Sequence, residues 1–405
     1  MAGPGARTRT WLSHQASVGA DRPIGSRQRS DVSSYHDGML TENACPCDVH
    51  GRIPTGSSRS RDHPGAPRGV INCVGRTHRG SDVERSADCC DEVCRVSSID
   101  ERSDAEDLFR LATLAQRYVW GGPDVHRYLQ ANGVSLTPAN FYASVPKVED
   151  VEASWEYLDD APYDGGLFDQ AGMAERIRHW QRFADEFDPP TDGDQEHPAG
   201  FFWLNGQFGY TDAMAYWCML REIQPDHVLE VGAGFSTLVA DAALRANGHG
   251  RITVIEPHPR SFLRDLPTVT DIRETFVQRI PLAEMTTLVE SADVWFIDST
   301  HTVKIGSDCL YLYLRVMPAL DTEVIVHSHD VFLPFAPPRH LALDLHIYWT
   351  EQYLLYAYLL DNPRAQVTFG SAYAAACLPD EMALLMGGKQ PIGGVSLWYE
   401  LRPRR

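Results

Sequence analysis

Hydrophobic positions change their spacing along this chain, and each change predicts a different kind of structure. Before residue 100 they are sparse and follow neither a helical nor a strand period. From Asp104 the string DAEDLFRLATLAQRYV sets Leu108, Leu111, Leu114 and Val119 at helical intervals, behind acids that suit a helix start. PDVHRYLQANGV predicts a second short helix closing at Gly133, and MAERIRHWQRFADEF a third. From 212 onward helical patterns alternate with short apolar runs, the mark of an α/β sheet. The predicted strands are HVLEV (227–231), ITVIE (252–256), TFVQ (275–278), VWFID (294–298) and EVIVH (323–327). A long helix, TEQYLLYAYLLDN, follows, and QVTFGS and VSLWYEL close the chain as two more strands. Seven strands with helices between them predict a doubly wound, Rossmann-like sheet.

Composition sharpens the division into segments. The 405 residues carry a formal charge of −19, which argues against a general nucleic-acid binder and against adhesion to anionic lipid. No stretch approaches the roughly 18 uninterrupted apolar residues of a membrane span. Residues 1–100 differ from the rest: they hold 13 Arg and no Lys, net +1, and only Trp11 and Tyr35 among the aromatics. Such a segment buries too little apolar surface to offset its ordering entropy, so 1–100 is expected to be a disordered tail. Its Arg- and Ser-rich start loosely resembles an organelle transit peptide, and a tail read from an upstream start codon is an equal alternative. Its six cysteines lack a paired C-x₂-C spacing, which speaks against a zinc module. Cys218, Cys309 and Cys377 sit among apolar neighbours and read as reduced thiols, so the expected compartment is the cytoplasm. Residues 101–210, rich in aromatics and acids, are expected to form a helical and irregular cap, and 211–405 the main domain.

The most informative stretch is HVLEVGAGFSTLVADAAL. A strand runs into Gly232-Ala-Gly234 and directly into a helix that opens with Ser236 and Thr237. Glycines there let a ligand approach the backbone, and the helix start offers free N–H donors. Glu256 ends the next strand, where an acid can meet ribose hydroxyls. The dinucleotide pattern G-x-G-x-x-G fails, because Thr237 stands where its third glycine belongs.

This E-x-G-x-G turn with its downstream Glu resembles the first motifs of class I S-adenosylmethionine-dependent methyltransferases. The blocks EVGAGFST, FIDSTHTVKIGSD and VHSHDVFLPF closely resemble those of the bacterial Methyltransf_24 type, and the similarity spans about residues 104–401. The resemblance implies the seven-stranded methyltransferase sheet, with the last strand inserted antiparallel beside the fifth. It implies S-adenosyl-L-methionine as cofactor, with Gly232 and Gly234 on its methionine side and Glu256 on its ribose. Gln278 would lie near the adenine, and Glu230 and Ser236 belong to the same cofactor-binding motif.

A second constellation follows the fourth and fifth strands: Asp298 and His301, then His327, His329 and Asp330. In a doubly wound sheet these strand ends converge on the ligand crevice. Asp298 and Asp330, with His329, form a candidate site for Mg²⁺ or another divalent cation, which would lower the pKa of an acceptor hydroxyl. His301, three residues past Asp298, is the candidate base, with Asp298 as its catalytic partner. His327 reads instead as a core histidine at a strand end. Related sugar and macrolide O-methyltransferases carry a comparable D-x-x-H plus an acidic pair, from which this chain departs at His329.

Methyl transfer is an in-line displacement that needs alignment and no covalent nucleophile, and no G-x-S-x-G motif occurs here. The expected activity is O-methylation of a hydroxyl on a small-molecule or glycan acceptor, without nucleic-acid or membrane partners. Two alternatives stand beside it. One is a metal-dependent hydroxylase-like protein using the His/Asp cluster for iron, and the other is a non-catalytic nucleotide-binding regulator.

Overall fold

A computed structural model describes residues 101–193 and 200–404, with side chains from 104. The tail, its six cysteines and its resemblance to a transit peptide lie outside the described residues.

Two N-terminal helices, α1 (Glu101–Tyr118) and α2 (Pro123–Ala131), and a short α3 (Val148–Glu152) precede α4 (Gln170–Ala184) and α5 (Tyr210–Ile223). The sheet domain then runs β1 (His227–Val231), α6 (Phe235–Asn247), β2 (Arg251–Ile255), β3 (Val269–Arg273), α7 (Leu282–Glu290) and β4 (Val294–Ile297). One broken helix follows: α8 (Asp308–Tyr311), a π segment (Leu312–Val316) and α9 (Met317–Ala319). The chain ends with β5 (Val324–Ser328), α10 (Arg339–Leu343), α11 (Glu351–Leu359), β6 (Ala365–Gly370), α12 (Ser371–Cys377), α13 (Pro379–Met386) and β7 (Leu397–Leu401).

The seven strands lie in the order β3-β2-β1-β4-β5-β7-β6. β1 to β5 are parallel, and β7 inserts antiparallel between β5 and β6, as the resemblance implied. Strand direction along the order reverses its numbering at the β1/β4 pair, which makes that pair the switch point where α/β sheets bind ligands. The central strands are apolar on both faces because helices cover both. Val228, Phe296 and Trp398 face a layer built from α4, α5, α6 and α13. Leu229, Ile297 and Tyr399 alternate to the other face, against α7, the broken helix and α11.

Two sequence expectations shift. The third strand is VTDIR at 269–273, and TFVQ instead contributes a single 3₁₀ turn, Val277–Arg279. β3 is an edge strand with one partner and exposed Thr270 and Asp271, so it lacks the apolar run of its neighbours. Val277, buried from a turn, supplied that signal eight residues later. The second shift concerns the cap. Met173, Ile177 and Trp180 of α4 are buried in the main core together with Phe187 and Trp203, so this stretch is a layer of the domain. By contrast Leu108, Leu111 and Leu114 on α1 are exposed: the periodic stripe forms a helix, and no described residue covers it.

Candidate active site

The site grows from three adjacent strand ends. Val231, Ile297 and Ser328 are paired across β1, β4 and β5, so Gly232, Asp298 and His329 emerge side by side. Backbone bonds continue past the strands: Asp298 N–H donates to Val231 O at 2.8 Å and His329 N–H to Ile297 O at 2.9 Å.

On the cofactor side, Gly232 has φ +82°, and a Cβ there would lie 1.9 Å from the Asp298 carbonyl oxygen. Only glycine fits. At Gly234 a Cβ would meet nothing nearer than Arg260 Nε at 3.9 Å, so the turn leaves open space in front of it. Thr237 Oγ1 accepts the Gly234 N–H at 3.1 Å and donates to Glu230 Oε2 at 2.6 Å. Tyr216 O–H donates to the other Glu230 oxygen at 3.0 Å. Glu230 is therefore fully buried beneath the turn, with both oxygens engaged, and burial pushes its carboxyl up to about 7. Ser236 is buried in the first turn of α6. Glu256 follows β2, half-buried, and accepts the His258 N–H at 2.8 Å. Gln278 is half-buried in the 3₁₀ turn beyond β3, not at a strand end.

The segment before α5 is tied down locally. Asn205 donates to Phe202 O and Phe208 O and accepts from the N–H groups of Gln207 and Phe208, so it closes its own turn. Asp212 accepts from Ser371 Oγ and from the N–H groups of Val395 and Ser396, fastening α5 to the strand before the C terminus.

On the acceptor side, Asp298, His301, His329 and Asp330 come together. His301 Nε2 lies 3.2 Å from Asp298 Oδ1 and 3.2 Å from Asp330 Oδ2. The compact metal-capable trio is thus Asp298, His301 and Asp330, rather than the expected trio containing His329. His329 stands behind it, Nδ1 at 3.5 Å from Asp298 Oδ1 and 3.7 Å from Asp330 Oδ1, and Nε2 at 3.5 Å from Asp212. That Nδ1 is buried and without a hydrogen-bond partner. His301 and Asp330 both occupy the left-handed region, φ +56° and +57°, a strained conformation that surrounding bonds must hold. His327, as expected, is a core residue, bonded to Ser396 Oγ at 2.7 Å and stacked on Trp398.

The charges in this cluster set one another. Burial disfavours the charged forms throughout, but it is outweighed at three residues. The Asp330, Asp298 and Glu351 carboxylates hold the His301 ring well above its ordinary value, and Asp330 and Asp298 do the same for His329. His329 and His301 in turn hold the Asp298 carboxyl well below the usual carboxylate range. At His327 burial prevails, helped by His329, and its pKa drops far below that of free imidazole.

Sequence reasoning missed Glu351 and Asp308. Glu351 is buried at the start of α11, and its Oε2 lies 2.8 Å from His301 Nδ1. Asp308 accepts from Thr300 N–H at 3.0 Å and Thr300 Oγ1 at 2.7 Å, fixing the loop between Asp298 and His301. Trp349 stands 4.8 Å from the His301 ring and packs near Phe332. The two acids lie far in sequence from their partners or inside an ordinary helix or turn pattern, so no local signal marks them.

The donor set fits a divalent cation of the Mg²⁺ or Mn²⁺ kind. Two carboxylates supply hard oxygen ligands, and the orphaned Nδ1 of His329 faces both while its Nε2 is oriented by Asp212.

Residues 229–331 match the family model Methyltransf_24, a methyltransferase domain. An uncharacterized protein of Archaeoglobus fulgidus is 27% identical over 138 residues, 33% of this chain. The chain spans 62% of the length of that curated relative. Among solved structures, the chain is similar to a putative O-methyltransferase from Klebsiella pneumoniae, at 12% identity and TM-score 0.28, covering 59% of this chain and 93% of that one. Another is an O-methyltransferase from Bacillus cereus bound to SAH, at 12% identity and TM-score 0.29, covering 62% and 99%. The segment 229–331, which builds both the glycine turn and the Asp298–Asp330 cluster, is thus the part of the chain that matches a methyltransferase domain.

Proposed function

We propose that this protein transfers the methyl group of S-adenosylmethionine to a hydroxyl of a small sugar-like or secondary-metabolite acceptor. The observation that carries the reading is the contact between the two halves of the site. The glycine turn meets the Asp298 backbone so closely that no side chain fits between them, which sets any ligand in front of Gly234 beside the Asp298–His301 cluster.

In this reading Gly232 and Gly234 border the methionine end of the cofactor, Glu256 takes its ribose hydroxyls, and Gln278 and Ser236 border the remainder. Glu230 acts from beneath, through Thr237, by fixing the turn. His301 is the proton acceptor in this reading: the proton that Asp298 and Asp330 hold on Nε2 must leave first, after which Nε2 can take the proton of the acceptor hydroxyl. Asp298 and Asp330 would hold a divalent cation; with His301 kept for the acceptor proton, the unpartnered His329 Nδ1, 3.5 and 3.7 Å from these carboxylates, is the nitrogen we assign beside them, and the cation would acidify and orient the acceptor hydroxyl. Trp349, half-buried beside His301 and backed by buried Phe332, is the aromatic face we assign to the apolar side of a sugar ring. Alignment of oxygen, methyl and sulfur then does most of the work.

The test is methyl transfer from isotope-labelled S-adenosylmethionine to a panel of sugars and hydroxylated metabolites, with and without EDTA. His301→Ala should lower turnover by about 10²–10⁴ while leaving cofactor affinity intact. Equal turnover in wild type and His301→Ala would remove His301 from the chemistry.

A further inference from the structure

The fold grips His301 from both ends with one residue of α11. The Glu351 N–H donates to the His301 carbonyl oxygen at 3.0 Å, beside a Thr350 N–H at 2.8 Å. The carboxylate of the same Glu351 meets the ring at Nδ1, 2.8 Å away. The backbone bonds hold His301 in its left-handed conformation, and the side-chain bond fixes how its ring is turned.

Glu351 is itself held. Tyr313 O–H donates to Oε1 at 2.5 Å, Ser299 Oγ donates to Oε2 at 3.4 Å, and only 1% of the residue is exposed. Tyr313 continues to Ser328 Oγ at 3.1 Å, and Ser328 to Tyr399 O–H at 3.3 Å. Among the described residues this buried chain ends at Met317 S, a weak acceptor, which suits it to fixing geometry.

We propose that Glu351 is the positioning residue for His301: it accepts the Nδ1–H, keeps that proton on Nδ1 and the ring in its orientation, and leaves Nε2 as the nitrogen turned toward Asp298, Asp330 and the acceptor. A carboxylate can only accept hydrogen bonds, so the hydrogen between the two groups belongs to Nδ1. A neighbouring carboxylate bonded to one ring nitrogen sets what the other can do. The inference rests on the reading of His301 as proton acceptor for its consequence in catalysis, but not for the geometry itself.

The experiment is proton NMR of the His301 ring N–H in full-length protein labelled with ¹⁵N-histidine, assigned by its disappearance in His301→Gln. Wild type should show a strongly downfield Nδ1–H resonance. Glu351→Ala should lose it, and Glu351→Gln, which keeps an acceptor oxygen, should retain it at higher field. Tyr313→Phe, which leaves Glu351 in place, should move it only slightly and covers the case in which Glu351→Ala does not fold. Methyl transfer should fall by about ten- to a hundredfold in kcat for Glu351→Ala, with KM unchanged and partial rescue by Gln. An unmoved resonance in folded Glu351→Ala and Glu351→Gln would overturn the proposal. Should wild type transfer no methyl group, the proposed activity fails while the resonance still decides the positioning.

Discussion

Gly232 and Asp298 are locked against each other: a Cβ on the glycine would stand 1.9 Å from the Asp298 carbonyl oxygen. The carbonyl belongs to the backbone and cannot swing aside, and φ at Gly232 is +82°. The two strand ends that border the cleft are therefore fixed by a contact only glycine allows.

Gly232→Ala should accordingly destabilise the fold itself, by about 1–3 kcal/mol or more, because strain adds to the steric overlap. Gly234→Val should leave the melting temperature nearly unchanged, since only Arg260 Nε comes within 4 Å of a Cβ there, at 3.9 Å. Thermal unfolding of the two variants checks the contrast. Equal losses would mean that both glycines serve the backbone alone.

Glu256→Ala should weaken binding of S-adenosylmethionine by about 1–3 kcal/mol, the scale for hydrogen bonds to a charged group. Isothermal titration calorimetry measures this, and an unchanged affinity would move the ribose site off the end of β2.

Glu230 gives a pH dependence of known sign. Its carboxyl is raised from 4.5 to about 7, mainly by burial, so between those values the folded state binds a proton the unfolded chain releases. Its contribution to stability is whole at acid pH, declines from about 4.5 to about 7, and is flat above. Relative to Glu230→Gln, wild type should lose about 3 kcal/mol at most over that interval. Urea unfolding of both proteins at several pH values tests it; curves that stay parallel would place a carboxyl of ordinary acidity at this position.

The two histidines should separate in metal binding. Mn²⁺ followed by electron paramagnetic resonance should bind wild type and His301→Ala but bind His329→Ala at least about tenfold more weakly. The opposite ranking would make His301 a ligand, as the compact Asp298–His301–Asp330 trio permits, and would shift the base elsewhere.

How much of this was legible in sequence depends on whether a signal is local. β1, β4 and β5 are short runs buried on both faces, and the polar residues just beyond them, Asp298, His301, His329 and Asp330, inherit their convergence from the parallel sheet. β3 was obscured because an edge strand exposes Thr270 and Asp271 and alternates like a loop. Glu230 belongs to the glycine motif, but only packing reveals that Tyr216 and Thr237 consume both of its oxygens. Glu351 reaches His301 across 50 positions, and in sequence it is one acid opening a helix.

The central claim is that the methyl donor occupies the space in front of Gly234, beside Asp298. Its most direct test is calorimetric titration of S-adenosylhomocysteine into wild type and Gly234→Val, each first shown to be folded. The account predicts one site per chain in wild type and at least about a hundredfold weaker binding in the variant, because the valine side chain would fill the ligand's place. Equal affinity in the two proteins, or no binding to wild type, would contradict it.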